Sequence, residues 1–236
     1  MNIKKHIPNT ITLLNLFCGC IALVFVSKLD FQMAFLFVCL GIFLDFFDGF
    51  FARLFKVSSP LGLQLDSLAD MVTSGVVPGY VMYKLLTNDY VFGADSLFPY
   101  LGFIITVGAC YRLANFNIDT RQSDSFIGLP TPANALFILS LPLILIENQN
   151  SQWVEIVFNP WVLIAVSLLS AFVMNAEIPL FSLKIKNFSF QKNALQVFFL
   201  VSCVLLALFF KYLGVALIIV FYVLLSVLNN TFAKKE

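Results

Sequence analysis

The stretch LDFFDGFFARLFKVSSPLGLQLDSLADMVTSG, Leu44 to Gly75, places four aspartates and an arginine inside sequence that otherwise reads as membrane-spanning. An ionised carboxylate in hydrocarbon costs a few kcal/mol or more, so Asp45, Asp48, Asp66 and Asp70 need a functional reason to be there. Asp45 and Asp48 are three residues apart near the end of one apolar run. Asp66 and Asp70 are four apart near the start of the next. On a helix each spacing puts the pair on one face. The break around Ser58-Ser59-Pro60 lets the two helices run back antiparallel, with the carboxylates facing one another.

The flanking sequence fixes the setting. Of the 236 residues, 60% are hydrophobic, 28 are phenylalanine and 11% are charged, against about a quarter charged in a soluble domain. The net charge of +1 excludes the bulk basicity that nucleic-acid binding needs. We therefore expect an all-α, polytopic membrane helix bundle. The five cysteines, Cys18, Cys20, Cys39, Cys110 and Cys203, lack ligand or CxxC spacing and read as small core residues. The first apolar run lacks a small-residue cleavage site and is expected to be retained, with residues 1–8, including His6, as an interfacial lead-in.

At about 20 apolar residues per span, eight candidates emerge: 9–27, 31–54, 64–86, 97–117, 132–147, 160–178, 194–211 and 213–230. With both termini cytoplasmic, that side collects Lys4, Lys5, Arg53, Lys56, Arg112, Arg121, Lys184, Lys186, Lys192, Lys234 and Lys235. Only Lys28, Lys84 and Lys211 remain opposite. The positive-inside rule thus puts the aspartates at the cytoplasmic face. The whole of 1–236 reads as a single membrane domain, with the acidic motif at 45–70 and a C-terminal loop and last two helices at 179–236.

Four like charges at close quarters repel unless a cation sits among them, and all-oxygen ligands suit Mg²⁺, Mn²⁺ or Ca²⁺. Gly49 and Ala52 keep one face of the second helix free of bulk, and Gly62 does so at the head of the third, so a phosphate-bearing ligand can approach the backbone. Arg53 can pair with the acids or with a phosphate. On the first helix, Asn9, Thr12 and Asn15 share a side; they can hydrogen-bond donor phosphates or pack against polar neighbours. A divalent-cation or proton-coupled transporter would also use intramembrane acids, but transporters carry matching features in both halves, whereas these acids occupy one half only.

Read in order, the residues run Asp45, two more, Asp48-Gly49, two more, Ala52-Arg53, eight more, Gly62, three more, Asp66, three more, Asp70. At every fixed position and gap this resembles the signature of the CDP-alcohol phosphotransferase family. The resemblance implies two divalent cations, Mg²⁺ or Mn²⁺, held by Asp45, Asp48, Asp66 and Asp70, with Asp70 also taking the proton of an acceptor alcohol. It implies a CDP-facing set of Asp45, Gly49, Ala52, Arg53, Gly62 and Asp66.

Three further stretches are similar to the phosphatidylserine synthase branch: IPNTITLLNLFCG (Ile7–Gly19), YRLANFNIDT (Tyr111–Thr120) and FIGLPTPANA (Phe126–Ala135). That branch implies CDP-diacylglycerol and L-serine as substrates, a homodimer, and a multi-pass place in a bacterial-type inner membrane. Serine carries a carboxylate, so Arg112 or Arg121 can serve it or simply anchor the helix; Asn115 and Asn117 complete the serine-site candidates. Asn115 stands where the branch commonly has a second arginine. Gly75-x3-Gly79 offers a small-residue seam for a second copy, and Gly75, Pro78 and Gly79 are expected to interrupt the third helix.

Overall fold

The computed structural model describes residues 6–57, 59–87, 95–119, 126–182 and 193–233. Its described residues are helical throughout apart from turns and one isolated bridge between Ile127 and Pro179. Helix α1 (Ile7–Ser27) opens with Pro8 in its first turn, where the missing N–H costs nothing. It pairs with α2 (Phe31–Phe55) along its length. Asp30 sets the start of α2 by accepting from the Met33 amide at 3.1 Å.

The turn after α2 is written in three residues. Lys56 adopts the left-handed conformation at φ 54° and ends the helix. Ser59 accepts from the Gly62 amide at 3.0 Å, and Pro60 begins α3 (Pro60–Asp70). From there the rod continues through a π-helical turn (Met71–Val76) into α4 (Val77–Leu86). The expected interruption at Gly75, Pro78 and Gly79 is therefore absorbed rather than made: the wider turn lodges a residue that an α-helical ladder ahead of Pro78 could not pair.

A 3₁₀ helix (Phe98–Phe103) leads into α5 (Ile104–Ile118). Its Gly102 lies so close to the Tyr83 backbone that a Cβ would sit 2.6 Å from the Tyr83 nitrogen. Gly75 and Gly79 face the same side: Cβ atoms there would meet Ala109 and Thr106. Their spacing is spent on packing within one chain, which removes that seam as an argument for a second copy.

Helices α6 (Thr131–Glu147), α7 (Gln152–Val157) and α8 (Pro160–Asn175) follow. The last helical stretch, α9 (Ala194–Ala233), reverses at Lys211 (φ 46°, ψ −118°), giving two arms where two helices were expected. The arms are antiparallel: Phe199 on one stacks at 5.9 Å on Phe221 of the other.

Among the described residues four helices are long and apolar enough to cross a membrane: Ile7–Ser27, Phe31–Phe55, Phe98–Ile118 and Ala194–Thr231. Thr131–Glu147 and Pro160–Asn175 are shorter apolar helices. The outer faces suit lipid, with Phe17, Phe43, Val107 and Phe209 each more than half exposed. The cysteines are unpaired, and Cys20 and Cys110 lie on that outer surface rather than in the core.

Candidate functional site

Helices α2 and α3 bring the four aspartates together along their facing sides. Carboxylate oxygens of Asp45, Asp48 and Asp66 all lie within 4.8 Å of one another. Asp70 joins Asp45 and Asp66 in the wall of one cavity. Asp48 and Asp70 are buried, and Asp45 and Asp66 are partly so. Among the described residues none of the four has an ion-pair partner. Asp45 Oδ1 is buried and makes no hydrogen bond. Crowded carboxylates with an orphaned oxygen and no ion-pair partner fit a hard divalent cation bound through oxygen.

Two cavities flank the cluster and share Asp48, Gly49, Arg53 and Asp66. The smaller, about 240 Å³, is closed by Asn9, Thr12, Ala52, Ser59 and Gly62. Above Gly49 the nearest atoms to an added Cβ are the Arg53 guanidinium nitrogens at 3.8 and 3.9 Å. At Gly62 the same atom would press on Ser59 Oγ at 3.2 Å and Asn9 Oδ1 at 3.3 Å, so the bare glycine leaves the floor open.

The larger cavity, about 410 Å³, extends from the aspartates to α5 and the start of α6. Arg112 lines it, buried in the body of α5, with Nη1 donating to the carbonyls of Ile127 at 2.8 Å and Met174 at 3.3 Å. Pro130, Thr131 and Pro132 form the opposite rim. This rim is held in place across the chain: the Gly128 amide donates to Ile178 at 2.9 Å and the Leu180 amide to Phe126 at 2.8 Å.

The polar residues of α1 divide between roles. Asn9 lines the smaller cavity. Thr12 lines it too, and its hydroxyl donates to Asp48 Oδ2. Asn15 is fully buried, lines neither cavity, and donates from Nδ2 to Asp70 Oδ1 at 3.2 Å. In this structure it is a carboxylate partner.

On α5 the lining face runs through Arg112, Leu113 and Phe116. At about 100° per residue Asn115 points roughly a third of a turn away from the centre of that face, and it is exposed. Asn115 thus lines neither cavity. Asn117 touches it indirectly, donating to Ser67 Oγ at 2.8 Å. Arg121 lies outside the described residues. Phe46, Ser67 and Phe116 line the larger cavity without having been picked out from sequence, whereas Phe126 and Thr131 fall in the FIGLPTPANA stretch. For Ser67 the signal was available, since it stands three residues before Asp70 on the same helix.

Comparison with known proteins agrees in register with this geometry. A family model described as CDP-alcohol phosphatidyltransferase matches residues 5–173, which hold every residue of both cavities. The chain is 36% identical over 141 residues to a CDP-diacylglycerol–serine O-phosphatidyltransferase of Bacillus subtilis, covering 58% of this chain and 75% of the relative. A protein of the same description from Helicobacter pylori is 38% identical over 144 residues (60% and 58%). One from Saccharomyces cerevisiae is 34% identical over 154 residues (58% and 53%). The chain thus spans a little over half the length of the latter two relatives.

Proposed function

The chain belongs to the CDP-alcohol phosphatidyltransferase family, and from that premise we propose that it transfers the phosphatidyl group of CDP-diacylglycerol to the hydroxyl of L-serine, giving phosphatidylserine and CMP. The observation that carries this reading is the pair of cavities meeting at one row of aspartates. A donor and an acceptor bound on either side of that row have their reacting atoms brought to the same carboxylates.

In this proposal Asp45, Asp48, Asp66 and Asp70 hold two divalent cations, Mg²⁺ or Mn²⁺. When bound, such cations neutralise charge on the donor pyrophosphate and on departing CMP. The smaller cavity takes the cytidine diphosphate part, with Gly49, Ala52 and Gly62 as its open floor and Arg53 against a phosphate. The larger takes serine, whose carboxylate is met by Arg112. Asp70 accepts the serine hydroxyl proton as the alkoxide oxygen bonds to the phosphatidyl phosphorus and the bond to CMP breaks. No covalent enzyme intermediate is needed.

Serine is favoured over a phosphorylated acceptor because the larger cavity offers only Arg53 and Arg112 as cations among the described residues, and Arg53 is shared with the donor side. Glycerol 3-phosphate or an inositol phosphate would call for a denser basic cluster. We place the enzyme in a bacterial-type inner membrane as eight spans with both termini and the site cytoplasmic, on the strength of eleven of fourteen Lys and Arg residues falling on that side. The deciding experiment is CMP release by purified protein given CDP-diacylglycerol and Mn²⁺, with L-serine, glycerol 3-phosphate and inositol phosphate compared as acceptors. Release that needs serine is expected. Release that needs another acceptor would discard the serine assignment, and none with any acceptor would discard the activity.

A further inference from the structure

We infer that Thr12 and Asn15 of α1 are positioning residues, which fix the carboxylates of Asp48 and Asp70 and act on the reaction through them; this rests on the reading of those aspartates as cation ligands. The two side chains lie three residues apart on one face of α1, and each reaches a different helix of the acidic pair: Thr12 to α2, Asn15 to α3.

Thr12 has one hydroxyl proton and two acceptors in range, Asp48 Oδ2 and the Pro8 carbonyl at 3.1 Å. The carboxylate is the stronger acceptor because the bond is charge-assisted. With Oδ2 held by Thr12, the Asp48 carboxylate is fixed in orientation beside the cluster. Asn15 Nδ2 occupies Asp70 Oδ1 in the same way and leaves Oδ2 free for a cation or a proton.

The seat beneath Asn15 is built for this contact. The Thr73 hydroxyl, in the π turn that directly follows Asp70, donates to the Asn15 main-chain carbonyl at 3.2 Å. A Cβ on Gly41 would lie 2.7 Å from Asn15 Oδ1 and 2.8 Å from Thr73 Cγ2. One on Gly19 would lie 2.5 Å from Thr73 Oγ1 and 3.0 Å from its Cα. Two glycines on two helices thus let α1, α2 and the π turn close on one joint, and Asn15 is its centre. Asn15 is 0% exposed, and among the described residues its side chain donates to Asp70, which is the route by which it reaches the cluster.

The test uses the full chain in detergent with Thr12→Val, Thr12→Ser and Asn15→Leu, none of which changes charge. Mn²⁺ binding in the presence of CMP is read by electron paramagnetic resonance, and kcat and the donor KM by CMP release. We expect Thr12→Val and Asn15→Leu to weaken Mn²⁺ binding about tenfold or more, as loss of a partner behind a metal ligand does. They should lower kcat and leave the KM for CDP-diacylglycerol within about twofold. Thr12→Ser, which keeps the hydroxyl, should restore both. Wild-type Mn²⁺ affinity with a raised donor KM in Thr12→Val would make Thr12 a donor contact and overturn the inference, as would absence of Mn²⁺ binding in the wild type. If Asn15→Leu does not fold, the Thr12 pair still decides. The Mn²⁺ arm is independent of turnover: a wild type that binds Mn²⁺ in a Thr12-dependent way but releases no CMP with serine would refute the proposed activity and leave the positioning role standing.

Discussion

Arg112 donates to the main-chain carbonyl of Ile127 at 2.8 Å, tying the middle of α5 to the strand-like segment that forms the far rim of the larger cavity. Only Nη1 is committed, to Ile127 and to Met174; the other guanidinium N–H groups have no partner among the described residues. A buried fork with donors to spare is suited to a carboxylate. We predict that Arg112→Lys, which keeps the charge and loses the fork, raises the KM for L-serine at least about tenfold and leaves that for CDP-diacylglycerol within about twofold. Steady-state CMP release with each substrate varied in turn checks this. A lower unfolding temperature with an unchanged serine KM would reduce Arg112 to a staple.

Asp70→Asn should leave a folded protein with almost no turnover. The amide has nearly the same volume, and its oxygen can still accept from Asn15 Nδ2, so the joint at α1 survives. What goes is a group able to take the serine proton, a contribution of about 10²–10⁴ in rate, together with one charged ligand of the proposed cations. CMP release is the measurement, beside a melting curve that confirms the fold. A variant that retains a tenth or more of wild-type turnover would remove Asp70 from the base role.

Chelation should abolish activity, and Mg²⁺ or Mn²⁺ should restore it. The stability arm is more specific: three carboxylates within 4.8 Å and no ion-pair partner among the described residues leave repulsion that a bound cation relieves. Because the unfolded chain does not assemble that cluster, Mn²⁺ should raise the unfolding temperature of the wild type. Asp45→Asn, which removes one ligand and one repelling charge, should be less sensitive to Mn²⁺ and more stable without it. Equal responses of the two proteins to Mn²⁺ would contradict the site.

The parts of this site legible in sequence are those set by local geometry. Asp45 with Asp48 and Asp66 with Asp70 share faces because helical spacing requires it, and the reversal between them is spelled out by Ser59 and Pro60. What stayed hidden depends on rotation about an axis or on distant contacts. Asn115 and Phe116 are neighbours in sequence, yet only Phe116 lines the cavity. Asn15 finds Asp70 across 55 residues, and a short run of i, i+3 polar side chains does not say whether they meet phosphate or carboxylate. Gly75 and Gly79 carried the right signal, close helix approach, with the wrong partner: α5 of the same chain. Phe126 and Thr131 reach the site because residues 126–128 are bonded to 178–180, a pairing for which one sequence holds no local cue.

Gly128 connects that pairing to the acceptor side, and its replacement should separate stability from function. Its φ of +74° is one that side-chain-bearing residues adopt at a cost of about 1–3 kcal/mol. An added Cβ would also run into the Met174 carbonyl oxygen and lie 3.0 Å from that of Ala176. Met174 is the second acceptor of Arg112. Gly128→Ala should therefore lower the unfolding temperature and, by displacing that carbonyl, shift the guanidinium and raise the KM for serine. Gly214→Ala is the matching control: its Cβ would collide with the Leu206 backbone at the reversal of α9, and Gly214 lines neither cavity. It should lower the unfolding temperature and leave the serine KM unchanged. If both variants lose stability and neither moves that KM, the rim and Arg112 are not coupled, and the serine carboxylate must be sought at another group.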